Sequence, residues 1–155
     1  MIRALLAAGA DPNISKTELP LQAAIGESRT SGAETVRLLL DAGANPNARG
    51  EWGNPAFFTA GGASLEVMEL LLAHGADVQL RDKQGRSAVV LAATTRNWRV
   101  LELLLRRGAP WRDQQAVQGV PFLDYLEREA RDAQSSSWNS DGLGEVMALL
   151  RSATR

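Results

Sequence analysis

The residues that could carry catalysis are few and scattered. The chain contains one histidine, His74, and no cysteine, so a thiol nucleophile, a thiolate zinc site and an iron–sulfur cluster are excluded. His74 comes one residue before Gly75, at the end of a predicted helix, where the helix dipole favours an imidazole side chain. We therefore interpret His74 as a helix-end residue, and we expect no catalytic site, no bound metal and no cofactor.

The carboxylates and the glycine pairs fit structural roles. Carboxylates on predicted helices, where a solvated face is the usual arrangement, are Glu66, Glu69, Glu102, Glu127 and Glu129. Asp124 lies three residues before Glu127, which is an ordinary spacing for neighbours on a helix surface. The pairs at 61–62 and 142–144 lack the lysine and the hydroxyl residue of a phosphate-binding loop. We therefore expect these glycines to serve turns and helix ends.

Composition narrows the function classes further. The 155 residues are 45% hydrophobic and 23% charged, which is typical of one folded domain. The chain has seventeen basic and eighteen acidic residues, which gives a net charge of −1. A nucleic-acid partner is therefore not expected. No apolar run approaches the ~20 residues that span a bilayer. We expect a cytoplasmic protein without a membrane partner, although a chain without cysteine is compatible with the periplasm too.

A repeated string shows which elements must position any site. The string LLAAGADPN at 5–13 returns as LLDAGANPN at 39–47, as LLAHGADVQ at 71–79 and as LLRRGAP at 104–110. Its glycines, Gly9, Gly43, Gly75 and Gly108, are 34, 32 and 33 residues apart. This period is typical of a solenoid with one supersecondary unit per repeat. A glycine after an apolar helix predicts a left-handed helix end, which a side chain would disfavour.

The repeat resembles the ankyrin repeat. The resemblance is strongest at 75–87, GADVQLRDKQGRS, and continues in LAA at 91–93. It implies an all-α solenoid of helix-turn-helix units with short extended fingers and about four and a half repeats. The expected boundaries are a half repeat at 1–13, repeats at about 14–47, 48–79 and 80–112, and an elongated capping repeat at 113–155.

Helix starts are marked by residues that can accept bonds from first-turn amides. Ser31 with Glu34 forms a predicted capping box, and Ser64, Asn97 and Asp141 are predicted N-caps. The family's threonine before the first helix is replaced by Asn54 or Ser87, which can still cap, and by Leu19 or Val120, which cannot. The histidine of the same family motif is absent from every copy, and Gln22 is its replacement in the second repeat.

The two ends of the chain depart from the repeat. After Pro121 the sequence predicts a long first helix, 122–133, a loop at 134–141 and a final helix that together form a C-terminal cap. At the other end, Met1 to Ala8 reads as the second helix of its repeat, without a first helix to cover it. We expect its apolar side to be frayed, covered by upstream residues, or packed in a homodimer.

The tryptophans indicate where a partner would bind. Trp98 is the first residue of a second helix and is predicted to be part of the core. Trp138 falls in the loop and either holds this loop against the body of the protein or is an exposed contact. Trp52 and Trp111 fall in fingers, where the resemblance implies binding, and each is either an interface anchor or packing against the next finger. The predicted partner-binding residues are Trp52 and Trp111, surrounded by Arg49, Glu51, Arg81, Lys83, Arg86 and Arg112.

The function implied by the resemblance is a non-enzymatic module that binds another protein through its finger tips and first-helix face. A second hypothesis is a bacterial inhibitor or immunity-type protein that occludes an enzyme or toxin, which rests on the excess of arginine over lysine. A third is a domain associated with an enzyme activity, with its site in the 121–145 insertion; two converging carboxylates in a polar cleft would support it. The uncovered first helix also fits a piece of a longer scaffold.

Overall fold

The all-α repeat architecture is seen directly in the helices. The computed structural model describes residues 1–14, 19–26, 32–50, 53–60, 64–112, 114, 116, 119–135 and 142–153. Across these ranges the helices are α1 (Ile2–Ala7), α2 (Pro20–Gly26), α3 (Gly32–Asp41), α4 (Ala56–Thr59), α5 (Leu65–Ala73), α6 (Ala88–Thr94), α7 (Trp98–Arg106), α8 (Phe122–Ser135) and α9 (Leu143–Ala153). The predicted all-α fold is confirmed.

The helices stack in two layers. The first helices α2, α4 and α6 contact one another in order, and the second helices α3, α5, α7 and α9 form a parallel row. Within a repeat the two helices also pack together, as α2 does on α3 and α6 on α7. An amphipathic helix must bury its apolar stripe against another element, and the buried apolar residues of α2 to α9 form one cluster.

Most of the predicted helix starts and stops are confirmed. Ser64, Ser87 and Asn97 each accept a hydrogen bond from the backbone N–H three residues later, at 3.3–3.4 Å. The four repeat glycines after α1, α3, α5 and α7 have φ between 76° and 88°, the left-handed conformation expected of them. The predicted caps Ser31 and Asp141 lie outside the described residues.

The predicted N-cap role of Asn54 is wrong. The residue before α4 is Pro55, and its side chain makes no capping hydrogen bond. Isolated bridges pair Arg49 with Pro55 and Arg81 with Ser87, so Pro55 stands where Ser87 stands one repeat later. The Asn54 side chain instead accepts from the backbone N–H of Lys83, at 3.4 Å. Alignment on the proline therefore placed the helix start one residue too early.

The core runs between the two layers along the whole stack. Its largest fully buried side chains include Phe57, Leu71, Leu101, Leu126 and Leu150, which come from three different repeats. Trp98 joins this core with 4% of its surface exposed, as predicted. Because these residues belong to one buried cluster that extends from α2 to α9, the repeats support one another and the fingers have a rigid base.

The long helix α8 is tied to the preceding repeat. Glu129 accepts two hydrogen bonds from the Arg96 guanidinium, at 2.8 and 3.3 Å, and its side chain is 16% exposed. The expectation that Glu129 lies on a solvated face is therefore wrong. The hydrogen bond to Glu129 raises the pKa of Arg96, and burial raises the pKa of the nearby Tyr125 phenol. The Tyr125 hydroxyl donates to the Ala93 carbonyl at 3.5 Å, a second link between the repeats.

Opposite charges also connect successive second helices. Arg3 on α1 pairs with Glu34 on α3, and Arg37 on α3 lies 3.8 Å from Glu66 on α5. Each arginine stands six residues before its repeat glycine, and each glutamate stands nine before the next one. At the following junction the same two positions hold Glu69 and Arg99, so the signs are exchanged.

Candidate functional site

The fingers line one edge of the solenoid and form the candidate binding surface. We call the described residues of 9–19, 43–55, 75–87 and 108–121 the first to fourth fingers, and their common edge the finger edge. Each finger begins at a repeat glycine, and the second and third end at bridges to Pro55 and Ser87. Because the fingers follow the stacked second helices, they are held side by side along this edge.

Asparagines join each finger to the next. The Asn13 amide donates to the Gly43 carbonyl at 3.0 Å and accepts from the Asn45 N–H at 2.8 Å. Asn47, in the equivalent position of the second finger, repeats both bonds to Gly75 and Asp77, at 2.9 and 2.8 Å. One side chain thus satisfies a backbone donor and a backbone acceptor of the following finger.

This link is weaker between the third and fourth fingers. Gln79 takes the asparagine position and makes one bond, to the Gly108 carbonyl at 3.4 Å. The residue that would donate back is Pro110, which has no N–H. Gln79 keeps an amide oxygen that could accept a hydrogen bond, but Pro110 has no N–H to donate, so the second bond of the pair is absent at this junction.

Asn47→Ala is therefore expected to lower the free energy of unfolding by about 1–2 kcal/mol, because two hydrogen bonds to the backbone are lost. Gln79→Ala is the matched control and should cost about 0.5 kcal/mol, because its single bond is long. Urea unfolding of both variants measures the difference. Equal losses would show that the asparagine bonds contribute nothing beyond a generic finger contact.

Arginines make a second set of links. Arg49 donates to the Gly53 carbonyl at 2.7 Å within its own finger and to the Arg81 carbonyl at 3.1 Å in the next. Arg81 likewise donates to Gly85 at 2.9 Å and to the Gln114 side chain at 3.0 Å. Gln114 is buried, and its Nε2 has no hydrogen-bond partner in the described part of the chain. Arg49 and Arg81 thus brace the finger edge while keeping their positive charge.

The third finger turns around a buried carboxylate. Asp82 has a side chain that is 1% exposed and accepts from the N–H groups of Gln84 and Arg86, at 2.9 and 2.8 Å. The Arg86 guanidinium adds a bond at 2.7 Å and leaves about half of its own side chain in solvent. Arg86 therefore neutralises Asp82 and still contributes to the surface.

Of the two predicted aromatic anchors, the structure describes Trp111. Its ring is partly buried against the core, and the Arg112 guanidinium carbon lies 4.9 Å from the ring centroid, within the range of a cation–π contact. Arg112 also donates to the Ala153 carbonyl at the end of α9. Trp52 and Glu51, and the loop residue Trp138, lie outside the described residues. The predicted set therefore shares one edge as far as it is described.

The residues missed by sequence reasoning are Asn13, Asn47 and Gln22. Gln22 is buried on α2, donates to the Asn54 carbonyl at 2.7 Å, and fills the space beside Gly50, where a Cβ atom would lie 1.8 Å from its Oε1. The available signal was a recurring amide at the fourth residue after the repeat glycine. Arg49 and Arg81 were predicted to be surface contacts. Their bracing role was missed because their hydrogen-bond partners in the next finger are about 30 residues away along the chain.

His74 has a structural environment. It is the residue at the end of α5, its Nδ1 lies 2.8 Å from the Leu70 carbonyl, and its Nε2 lies 3.2 Å from an Asp41 carboxylate oxygen of the preceding repeat. Both partners are acceptors, and the ring nitrogen that carries a proton donates to the acceptor that it faces. In the described ranges, no group of three or more potential ligands is arranged to hold a metal ion.

A groove between α8 and α9 is the candidate for the enzyme hypothesis. It has a volume of about 340 Å³ and is lined by Glu127, Ala130, Arg131, Met147 and Arg151. Arg131 turns back to the Glu127 carbonyl, at 3.2 Å. Among these lining residues there is one carboxylate beside two arginines, which is not the pair of converging carboxylates that acid–base chemistry would use.

Two rows of stacked helices with a braced finger edge define a class of repeat solenoids that present a binding surface. A family model described as ankyrin repeats, in three copies, matches residues 21–115, and the chain belongs to the ankyrin repeat family. Ankyrin repeats generally act as protein–protein interaction modules.

Several named proteins are similar to the chain. It is 39% identical over 92 residues to the human transient receptor potential cation channel subfamily A member 1, covering 58% of this chain and 8% of the channel. It is 35% identical over 140 residues to zygote-specific protein 3 of Chlamydomonas reinhardtii, and the match covers 89% of this chain and 35% of that protein. It is 29% identical over 153 residues to the E3 ubiquitin-protein ligase KEG of Arabidopsis thaliana, and the match covers 95% of this chain and 9% of the ligase. The chain thus spans about a third or less of the length of each of these three relatives.

Among the described residues, no helix is both long enough and apolar enough to cross a bilayer.

Proposed function

We propose that the chain is a non-enzymatic module that binds another protein along the finger edge and the first-helix face. The observation that carries this proposal is the bracing of one finger by the next, through Asn47, Arg49 and Arg81. Loops that are already ordered lose little conformational entropy on binding. A surface of several pre-arranged loops suits a protein partner better than a small metabolite.

The proposed anchors are Trp52 and Trp111, because aromatic side chains contribute most to interface energies. The proposed surrounding residues are Arg49, Glu51, Arg81, Lys83, Arg86 and Arg112. The structure supports a division of labour within this set. Arg49 and Arg81 hold the fingers in place, whereas the Arg86 side chain is half exposed and Lys83 lies at an exposed finger tip.

Photocrosslinking can test this surface in an extract of the cells that make the protein. A crosslinking side chain at Lys83 is expected to capture the partner, and the same group at Glu69, exposed on the second-helix side, is the matched control. Capture of one protein with equal yield at both positions would contradict a finger-edge site.

Trp111→Ala should then lower affinity for the captured protein about 30-fold or more, equivalent to about 2 kcal/mol. The free energy of unfolding should fall by less than about 1 kcal/mol, because the ring is only partly buried. Titration and urea unfolding of the same variant measure both quantities. Unchanged affinity in a destabilised variant would assign Trp111 to packing against its neighbours.

The remaining expectations are part of this proposal. They are a cytoplasmic location, the absence of a nucleic-acid partner and of enzymatic activity, and a possible homodimer through the N-terminal helix. The inhibitor and enzyme-associated hypotheses gain no specific support from the contacts described above.

A further inference from the structure

Two arginines in the middle of the finger edge differ in their partners from the arginines of the helices. Arginines on α1, α3 and α7 pair with glutamates, as Arg3–Glu34, Arg37–Glu66 and Arg106–Glu102. Arg49 and Arg81 are exposed, and within the described residues their hydrogen bonds go to carbonyl and amide oxygens and to no carboxylate. Each of the two therefore keeps its charge without a paired anion in that part of the chain.

Both guanidinium groups also keep donors for a further acceptor. A guanidinium has five N–H groups, and Arg81 makes both of its bonds through Nη1. Its Nη2 and Nε have no partner among the described residues, and the buried Gln114 beside it holds a donor, Nε2, that also lacks an acceptor there. This junction between the third and fourth fingers thus has more donors than acceptors.

The surroundings do not neutralise this charge. The first helices α2, α4 and α6 contain no charged residue, and the described part of the second finger contains no carboxylate. In the third finger, Asp82 is buried and paired with Arg86, and Asp77 bonds a backbone N–H of its own finger. An anion that binds Arg49 and Arg81 would therefore displace no ion pair within these ranges.

The spacing of the two arginines follows from the repeat. Each is the sixth residue after its repeat glycine, and Nη2 of Arg49 lies 3.1 Å from the carbonyl oxygen of Arg81. Equivalent positions of packed repeats are about 10 Å apart, the usual distance between helices. A peptide in the polyproline II conformation returns a side chain to the same side every three residues, after roughly 9 Å.

We propose that the finger edge recognises an extended acidic segment of its partner, with carboxylates three residues apart that bind Arg49 and Arg81. The inference rests on the proposed function and adds the chemistry of the partner. Hydrogen bonds between a guanidinium and a carboxylate are charge-assisted and among the strong ones. The uncharged first-helix face beside them suits the uncharged residues between the carboxylates.

Three labelled peptides test the spacing on the unaltered chain. The first, about twelve residues long, carries aspartate at every third position in a background of proline, alanine and serine. The second has the same composition with its aspartates contiguous, and the third has asparagine in their place. By fluorescence anisotropy, the spaced peptide should bind about fivefold or more tightly than the contiguous one and about tenfold or more tightly than the neutral one.

Variants separate charge from bracing. Arg49→Gln with Arg81→Gln should weaken binding of the spaced peptide about tenfold or more. Arg3→Gln with Arg37→Gln removes the same charge from the second helices and should change affinity less than about twofold. Asn47→Ala loses bonds between fingers but keeps both arginines, so its affinity should also stay within about twofold.

Several results would overturn the inference. They are equal binding of the spaced and contiguous peptides, equal losses in the two double variants, and an oligonucleotide of the same length that binds as tightly as the spaced peptide, which would assign the arginines to phosphate. The peptide comparison needs no variant, so it decides even where a substitution unfolds the chain. A partner captured at Lys83 through a neutral segment would contradict this inference and leave the proposed function intact, whereas equal capture at Glu69 would contradict the proposed function itself.

Discussion

Leu71→Ala is expected to lower the free energy of unfolding by about 3–5 kcal/mol. The side chain is fully buried between repeats, and removing it leaves a cavity that the rigid stack can close only in part. The prediction is checked by urea unfolding, with the midpoint and the slope fitted together.

Leu5→Ala is the matched control, since it makes the same change at the equivalent position of α1. About half of this side chain is already in solvent, so the cost should be below about 1 kcal/mol. A loss as large as that of Leu71→Ala would mean that α1 is covered in solution, either by a second copy or by another part of the protein.

Asp82→Ala should cost about 3 kcal/mol. The substitution leaves the partly buried N–H groups of Gln84 and Arg86 without an acceptor and removes the counter-charge of Arg86, and donors that lose an acceptor away from water are expensive. Asp77→Ala, one turn earlier in the same finger, removes one bond from an exposed carboxylate and should cost about 1 kcal/mol or less. Thermal and urea unfolding of the pair provide the comparison, and similar losses would show that Asp82 is no more important than an ordinary turn residue.

Much of the architecture follows from local signals in the sequence. The repeat glycines, the serine and asparagine caps and the apolar leucines each act within a few residues, so Gly75, Ser64 and Trp98 could be interpreted correctly from the chain alone. The assignment of Asn54 as a cap failed because the repeats were aligned on Pro55. The length of the finger, and not the proline, decides where α4 begins.

The bracing of the finger edge could not be predicted from the sequence, for a different reason. Asn13 and Asn47 act on backbone groups about 30 residues away, and Glu129 meets Arg96 across 33 residues. Polar residues on fingers and helices look like solvent-facing residues until the stack brings their partners together. Trp52 and Glu51 lie outside the described residues, so their role as contacts stays a prediction.

The exchanged charges on the second helices bear on how the chain avoids misfolding. Near-identical repeats can be confused during folding, because any repeat can present its apolar stripe to the wrong neighbour. If α3 stacked on α7 and skipped a repeat, Arg37 would meet Arg99 in place of Glu66. A surface ion pair stabilises the native stack by only about 0–1 kcal/mol, yet the same residues penalise a shifted register through repulsion. The sign change between Arg37 and Glu69 thus distinguishes the junction between α5 and α7 from the two junctions before it, and it opposes a stack in which α3 skips a repeat.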